Sequence, residues 1–335
     1  MNAPRQFPFA RQPAGVAPLR RPGSVRRTTS VDSVWPHGAA EPWIMEGRAR
    51  DIFTPGDRSS PQVLDEAGYV LKISPRREIL ELQTSPANER SERLIGVRAG
   101  GDSRRALNEV LGNLAGDPLY QILDDFAGAS LVARWIWSRW LDDWAAYASR
   151  PEQATTHGRG GEMLDICTGF AEGSSALGPD KMNNPEVHNV VEVGPLENPD
   201  DPAGWHPMPE QSGPAMRRAR RIDLWREGGL IAVDAAFQDS GTNPAGGRLC
   251  VHEYLVHAEI EEASGTLVAL QALPLVLPFR ECPGASVKAA RMVGQNVSTF
   301  RDAVLETLPS VLGCTHLNDV LRALADVPAL ARHLR

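Results

Sequence analysis

The chain has 335 residues, 42% of them hydrophobic, which is enough for two domains of ordinary size with apolar cores. Its net charge of −7 and its pI of about 5.7 argue against nucleic acid as the main partner, because phosphate binding requires a basic surface. The sequence contains no apolar run approaching the roughly 18 residues of a membrane helix, so we predict no membrane partner.

Residues 1–23 are predicted to form a disordered tail. Up to Ser30 the chain contains six Arg, five Pro and no acidic residue, which is typical of disorder, with an Arg-rich targeting arm as the alternative. This stretch lacks the apolar segment of a secretory signal. The four cysteines form no CxxC pair, which favours a reducing environment over a disulfide framework. Together these features predict a cytoplasmic protein.

Residues 24–132 are predicted to form a first module of four strands and two helices. Hydrophobic patterning predicts strands at about 24–34, 43–53, 68–73 and 78–84 and helices at about 103–114 and 118–131. Asp117 is a good N-cap for the second helix, and Pro118 suits its first position. The module is therefore an antiparallel meander followed by a helix pair.

Residues 133–216 are predicted to contain a Trp-rich helix, 133–147, and a long connecting loop, 151–214. Trp137, Trp140 and Trp144 fall on one face of the helix, which either packs in the core or an interface or walls an aromatic ligand pocket. The loop is rich in Gly, Pro and Asn, and its length is typical of a functional cover or of a disordered linker. The turn signals at 200–202 and 205–207 favour the cover, that is, a lid. The candidate substrate-binding residues are Trp137, Trp140, Trp144, Trp205 and His206.

Residues 217–335 are predicted to repeat the first module. Strands are expected at about 220–226, 230–237, 248–260 and 266–277 and helices at about 299–308 and 316–324. Arg26-Arg27 recurs 191 residues later as Arg217-Arg218, and a spacing of 198 aligns the two helix pairs. The sequence thus predicts an α+β fold of two repeated modules joined by a Trp-rich helix and a long loop.

Arginines and aspartates recur at matching places in the two modules. Asp51 and Asp239 end the second strand of each module, and we expect each to pair with the Arg-rich strand beside it. The Arg runs themselves, at 26–27 and 217–221, are expected to form a solvated strand edge that resists aggregation.

The candidate catalytic residues lie in the second module. Cys314 precedes the predicted N-cap Thr315, where the helix N-terminus is expected to lower the pKa of its thiol, and His316 is a partner base or an independent acid/base. The first module has Gly116 and Pro118 at the positions of Cys314 and His316, so it lacks this pair. Three further candidates lie in an extra loop, namely Arg280, Glu281 and Cys282. The last two, His252 and Tyr254, lie on one face of a predicted strand.

Three interpretations of these residues remain open. In an acid/base pocket, His316 transfers protons and Arg280 holds a carboxylate or enolate oxygen, with no cofactor. In a metal centre, Cys282, Cys314 and His316 bind zinc or iron, with a fourth ligand from His252, Glu253 or water. In the third, the cysteines are ordinary buried side chains and His316 caps a turn. The chain has no P-loop, no GxGxxG and no HExxH, which argues against an ATPase, a Rossmann dehydrogenase and a zincin.

Four segments resemble a bacterial family catalogued as domain of unknown function 2889. They are RRTTSVD at 26–32, GRARD at 47–51, RECP at 280–283 and GCTHL at 313–317. The GCTHL signature, followed by Leu321 and Ala323, is the most specific of them, and the chain is similar to a longer form of the family. The resemblance implies a setting in the catabolism of aromatic or steroid-like compounds.

The leading hypothesis is a cofactor-independent lyase, decarboxylase or isomerase that acts on a small apolar, aromatic or steroid-like intermediate. One alternative is a non-catalytic ligand-binding or assembly protein. Another is a metal-dependent hydrolase or lyase that uses the Cys282, Cys314 and His316 set. The expected oligomeric state is either a monomer whose two modules form a pseudo-dimer or a homodimer.

Overall fold

One antiparallel sheet organises the protein. The computed structural model describes residues 12–57, 60–148, 163–178 and 189–335. Within these residues the strands are β1 Ser24–Val34, β2 Trp43–Thr54, β3 Gln62–Ile73, β4 Ile79–Ser85, β5 Val191–Val193, β6 Ala215–Glu227, β7 Leu230–Thr242, β8 Arg248–Glu261 and β9 Leu267–Val276. Their order in the sheet is β4-β3-β2-β1-β6-β7-β8, and β5 and β9 both pair with the outer edge of β8.

The helices are short, and those that pack on the sheet lie on one face. They are α1 Gly101–Leu111, α2 Pro118–Ala133, α3 Trp137–Trp140, α4 Trp144–Ala148, α5 Gly284–Lys288, α6 Phe300–Thr307, α7 Thr315–Ala323 and α8 Val327–Ala331. α2 packs on β1, β2, β3 and β6, and α7 packs on β7 and β8. The α+β class predicted from the sequence is confirmed. In the described part of the chain, no helix is long and apolar enough to cross a membrane.

The molecule divides into two halves, each with a four-stranded antiparallel meander followed by helices. We call β1–β4 with α1 and α2 the first half, and β6–β9 with α5 to α8 the second half. Each half has its own apolar cluster. Tyr69 and Phe126 belong to the cluster of the first half, and Phe237 and Tyr254 belong to that of the second. Because each cluster buries many large side chains, each half contributes a core of its own to folding.

The two halves are joined where β1 pairs with β6 along the full length of β1. Arg26 faces Asp223 across this pairing, and Arg217 faces Asp32, with Nε–Oδ1 distances of 2.5 and 2.6 Å. The two arginines are 191 residues apart, and so are the two aspartates. Each half therefore contributes one arginine and one aspartate at equivalent positions to these two contacts.

The arginine-rich runs lie at the centre of the sheet, so the prediction of a solvated strand edge is wrong. Arg26, Arg27, Arg218 and Arg220 are all at most 2% exposed. Helices cover one face of β1 and β6, while residues 12–23 and 196–209 cross the other. A buried guanidinium is tolerated only with a matched acceptor. The chain supplies aspartates from distant segments, which no local sequence pattern reveals.

The pairing predicted for Asp51 and Asp239 is confirmed. The guanidinium of Arg27 donates to Asp51, and that of Arg218 donates to Asp239, in both cases through Nε and Nη2. Such two-point contacts fix the orientation of both side chains.

The predicted tail is ordered where the structure describes it. Residues 1–11 lie outside the described residues. Beyond them, the amide of Ala17 donates to the carbonyl of Leu196 over 2.8 Å, and Arg20 pairs with Asp201 over 2.6 Å. The prediction of disorder is therefore wrong for residues 12–23, because their backbone and charges find partners in the chain that crosses the same face of the sheet.

The predicted lid and Trp-rich helix also differ from expectation. Of the loop at 151–214, residues 163–178 pack against the second half, where the amide of Thr168 donates to the carbonyl of Gly313, and residues 196–209 lie on the opposite face. The helix predicted at 133–147 is broken into a turn, α3 and α4. β3 starts at Gln62 rather than at Gly68, because its exposed first part is too polar to show strand alternation.

Candidate functional site

Three side chains of the second half converge on one point. Asp239 and His252 are direct partners across β7 and β8, and the register shifts immediately after Asp239. His316 is the second residue of α7. One ligand atom from each of these residues lies within 4.8 Å of the other two. In the described part of the chain, no other group of three His, Cys, Asp or Glu residues converges in this way.

The two imidazoles face the same carboxylate oxygen. Nδ1 of His252 lies 3.4 Å from Oδ2 of Asp239, and Nε2 of His316 lies 3.7 Å from it. The rings are stacked, with their centroids 3.4 Å apart and their planes inclined by 18°. Both nitrogens are buried, and neither makes a hydrogen bond. Two buried ring nitrogens are thus left with unused hydrogen-bonding capacity beside a carboxylate.

Arg218 holds the carboxylate of Asp239 in place. Its Nε donates to Oδ1 over 2.8 Å and its Nη2 donates to Oδ2 over 3.0 Å, while its Nη1 donates to Asp319. Burial alone would raise the pKa of Asp239, but the charge and hydrogen bonds of Arg218 hold it below the usual range of an aspartate. Asp239 is therefore ionised at neutral pH although it is completely buried.

Both histidines are neutral at neutral pH. Burial lowers the pKa of His316 well below its ordinary value, and the neighbouring His252 lowers it further against the opposing effect of Asp239. Burial also lowers the pKa of His252, although Asp239 acts in the opposite direction. A neutral imidazole is the form that ligates metals and accepts protons. The His316 side chain, 14% exposed, is the most accessible of the three.

Cys314 lies beside His316 but differs from the predicted thiolate. Its Sγ is 3.9 Å from Nδ1 of His316, and it occupies the N-cap position of α7, one residue before the predicted cap. Burial raises the pKa of its thiol, and the helix amides and the hydroxyl of Tyr254 only partly offset this. The expected lowering by the helix N-terminus is therefore wrong, because desolvation of the thiolate outweighs it.

The predicted metal set of Cys282, Cys314 and His316 does not converge as a ligand group. Cys282 instead lies beside a cysteine that the sequence reasoning missed. A Cβ added at Gly169 would be 2.6 Å from Sγ of Cys282 and 3.8 Å from Sγ of Cys167. Burial raises the pKa of the Cys167 thiol to about 12. These thiols form a buried, uncharged wall next to the histidines rather than a thiolate site.

Of the other predicted catalytic residues, some lie near the histidines and some lie at the surface. Tyr254 shares the strand face of His252 and its buried hydroxyl lies next to Cys314. Glu253, on the other face, accepts from Gln238 and from the amide of Ala14. Arg280 is 49% exposed and pairs with Glu281, which in turn accepts from Ser175. The predicted role of Arg280 as anion holder beside His316 is therefore not supported, because its guanidinium lies at the surface.

The predicted substrate-binding residues are not gathered around His316. Trp137 is buried in the first-half cluster, edge-on to Trp35 with ring centroids 5.7 Å apart, which supports the core interpretation. Trp140 donates from Nε1 to the carbonyl of Thr242, and Trp144 stacks on Tyr147. These aromatic contacts are packing between elements, not the wall of a pocket at the histidines.

Trp205 and His206 lie on the opposite face of the sheet. His206 sits between two hydroxyls of β1, with Nε2 2.7 Å from Ser30 Oγ and Nδ1 2.9 Å from Thr28 Oγ1. Burial, helped by the nearby cation of Arg50, lowers the pKa of His206 to about 3. Trp205 packs in a small apolar cluster on the same face. Both residues fix the chain that crosses this face.

A network of buried ion pairs extends from Asp239 to the surface. We call it the Asp239 network, and its members are Arg27, Arg104, Arg218, Arg301, Arg322, Asp51, Asp124, Asp239, Asp319 and Asp326. It ends in the floor of a groove of about 1000 Å³ between α1 and α2 of the first half and α6 and α7 of the second. The volume is at the upper end of the range for ligand pockets. None of the predicted site residues lines this groove.

Asp239 is the site residue that sequence reasoning missed, since it was interpreted only as the partner of an arginine. The available signal was the pairing of the two adjacent strands, which places His252 opposite Asp239.

Comparison with known proteins adds one finding. Residues 216–330, which include Asp239, His252 and His316, match the family described as "Protein of unknown function (DUF2889)". No curated protein and no solved structure matches the chain. The resemblance seen in the sequence is confirmed for this segment, which is similar to the DUF2889 family.

Proposed function

We propose that the protein is a metal-dependent enzyme, a hydrolase or lyase, in which Asp239, His252 and His316 bind one divalent transition metal ion. One observation carries this proposal, namely that two buried imidazole nitrogens without hydrogen bonds face the same carboxylate oxygen. Leaving a buried polar atom without a partner costs about 1–3 kcal/mol. A metal ion between the three ligand atoms would use both nitrogens at once.

The chemistry of the donor set fits zinc or iron. Two imidazoles and one carboxylate are found at catalytic zinc sites and at non-haem iron sites, where further coordination positions stay open for water or substrate. When bound, such an ion supplies a Lewis acid and lowers the pKa of a coordinated water. Three protein ligands would leave room in the coordination shell for a reacting group.

The surrounding residues support the same role. Arg218 fixes the carboxylate through two hydrogen bonds, as outer partners of metal ligands commonly do. Nδ1 of His316 lies 3.3 Å from Thr315 Oγ1 and 3.9 Å from Cys314 Sγ, so its ring orientation is also constrained. The neighbouring thiols and the Tyr254 phenol are buried, so they exclude water from the histidines. Burial also raises their pKa values, so they are neutral and add no charge.

The metal content of the purified protein tests the proposal. We expect about one zinc or iron ion per chain after reconstitution with either metal, and loss of that ion in His252→Ala and in His316→Ala. His257→Ala is the matched control, because His257 faces Asp234 across the same two strands, 3.8 Å away and half-exposed. The proposal fails if the wild-type protein binds neither metal, or if both site variants keep full occupancy.

A second candidate is the cofactor-independent lyase, decarboxylase or isomerase expected from the sequence, with His316 as acid/base. The observation that favours it is the neutral, partly accessible His316 ring beside an ionised carboxylate. This candidate predicts that the wild-type protein turns over substrate after exhaustive treatment with a chelator, whereas metal dependence would exclude it. The aromatic or steroid-like nature of the substrate stays a prediction from the family resemblance.

We also infer that the two halves arose by duplication of one module. Each half has a four-stranded meander followed by a helix pair, α1 with α2 and α6 with α7, and Gly96 and Gly294 adopt positive φ angles of 86° and 90° at matching places. Their amides donate to the carbonyls of Ile79 and Leu267 over 2.7 and 2.8 Å. The four-stranded meanders and helix pairs of the two halves should superpose by a rotation close to a half-turn. Different connectivity in the two halves would contradict the inference.

A further inference from the structure

We propose that the groove between the two halves binds a small zwitterion, with its carboxylate on the α1 side and its ammonium group on the α6 side. The groove has a volume of about 1000 Å³, and charged side chains line its floor and both of its walls. None of the proposed metal ligands lines it, so binding in the groove is a second property of the protein and is measured without reference to metal.

The carboxylates on the floor of the groove are already paired. The two oxygens of Asp124 accept hydrogen bonds from Arg322 over 3.0 and 2.8 Å, and Arg301 donates a third over 2.7 Å. Asp326 accepts from Arg301 through Oδ1, over 2.6 Å, and from Arg27 through Oδ2, over 2.8 Å. Because arginines compensate both carboxylates, the floor has little attraction left for a cationic group.

The first-half side of the groove has donors without acceptors. Arg104, on α1, donates from Nη2 to Asp319 over 2.8 Å, but its Nη1 makes no hydrogen bond with any residue that the structure describes. Tyr120, on α2, lines the groove although it is only 3% exposed, and within the described ranges its hydroxyl has no hydrogen-bond partner either. The guanidinium of Arg301 lies 4.7 Å from the centre of the Tyr120 ring and holds it in place. A charged donor and a neutral donor on one side fit a carboxylate.

The second-half side of the groove carries negative charge on α6. Asp302 and Glu306 lie one turn apart, are exposed and line the groove. Neither forms an ion pair in the part of the chain that the structure covers. The charged groove residues of α1, Arg104 and Arg105, are both positive, so the two walls have opposite charges. The remaining charged residue of the lining, Arg332, is exposed and belongs to neither helix.

Walls of opposite charge favour a ligand with two charges of opposite sign. A simple anion would be attracted by Arg104 but repelled by Asp302 and Glu306, and a simple cation would meet the reverse. Leu305, which is 38% exposed, and Pro328 add apolar surface to the lining, against which a hydrocarbon chain can pack. A carboxylate and an ammonium group joined by a short apolar chain therefore match the groove.

The experiment titrates the purified protein with 6-aminohexanoate, hexanoate and hexylamine, and ligand-observed NMR measures the dissociation constants. The three compounds share one carbon chain and carry both charges, only the negative charge and only the positive charge. Amino acids with four and eight carbons, each with its two singly charged relatives, cover shorter and longer spans. We expect at least one zwitterion to bind about 10-fold more tightly than either of its relatives. The absence of such a preference at all three lengths would overturn the proposal.

Variants of the two walls show whether the zwitterion binds in the groove. In Arg104→Gln its preference over the amine should fall to about 2-fold, and in the double variant Asp302→Asn/Glu306→Gln its preference over the carboxylate should fall equally. Arg90→Gln is the matched control, because Arg90 is an exposed arginine of the first half outside the groove, and it should keep the wild-type preference.

A preference that persists in both wall variants would place the zwitterion elsewhere and overturn the proposal. Asp302 and Glu306 are exposed, so their double variant should fold and decides the question if Arg104→Gln does not fold.

Discussion

Each half of the molecule contains a buried arginine–aspartate pair of the same kind, and the halves differ in the residue that lies opposite the aspartate. Arg27 donates hydrogen bonds to Asp51 in the first half, and Arg218 donates them to Asp239 in the second, in both cases through Nε and Nη2. Opposite Asp51 the neighbouring strand has the exposed Asp65, whereas opposite Asp239 it has the buried His252. The arginine–aspartate pair is thus a structural element common to both halves. The histidines are what distinguish the second half, and they are the reason that we propose the metal site there.

The comparison is tested most severely by Asp239→Asn and Asp51→Asn. Each leaves a buried arginine without its main counter-charge, so we expect each to lower the free energy of unfolding by about 3–5 kcal/mol. Only Asp239→Asn should abolish metal binding. Denaturant unfolding and metal analysis of the folded fractions measure both effects. Loss of metal in folded Asp51→Asn would show that the halves are not separate in function.

Trp137→Ala probes the first-half core without touching the histidines. Removing this buried ring should lower the free energy of unfolding by about 3–5 kcal/mol, because it leaves a cavity next to Trp35. Metal occupancy of the folded protein should not change. Trp137→Phe, which keeps an aromatic ring, is the milder control. If the alanine variant loses the metal while folded, the Trp face belongs to the site after all.

His206→Gln sharpens the comparison between the two faces of the sheet. The folded-state pKa of His206 is about 3, below its ordinary 6.5, so its contribution to stability is present above pH 6.5 and is lost as the pH falls towards 3. Between pH 7 and pH 5 the wild-type protein should therefore lose about 2 kcal/mol more than the variant. Urea unfolding of both proteins at the two pH values measures this. Parallel pH profiles would contradict the assignment.

Arg280→Ala should have the smallest effect. Its half-exposed ion pair with Glu281 contributes less than about 0.5 kcal/mol. Metal occupancy should stay at the wild-type value. A clear loss of bound metal would return Arg280 to the neighbourhood of the site.

Sequence reasoning predicted the regular elements better than the site. Strands and helices follow from hydrophobic periodicity, which is local, and the match of Asp51 and Asp239 to arginines followed from neighbouring strands. The cluster of Asp239, His252 and His316 depends on a strand register and on a helix more than sixty residues later, and no periodicity encodes that. His252 and His316 were singled out from the sequence, but their common partner was not.

The largest errors concerned charged and aromatic residues with two plausible environments. The arginines of β1 and β6 were expected at the surface because isolated guanidinium groups are costly to bury. Their aspartates come from segments as distant as Asp326, so the compensation is visible only in the folded chain. Similarly, the Trp137 face was offered as a substrate surface although core packing was the favoured interpretation, and its contact with Trp35 supports the core.

One ion pair of the groove floor shows what joining the halves in a single chain makes possible. Asp124 and Arg322 lie 198 residues apart, the spacing that aligns the two helix pairs, and they form two hydrogen bonds of 2.8 and 3.0 Å. In an assembly of two identical chains, a residue on the symmetry axis meets its own copy, so a charge there repels itself. Covalent linkage lifts this demand for self-complementarity. On the inferred duplication, an acid of one half can then meet a base at the equivalent position of the other half, as Asp124 and Arg322 do.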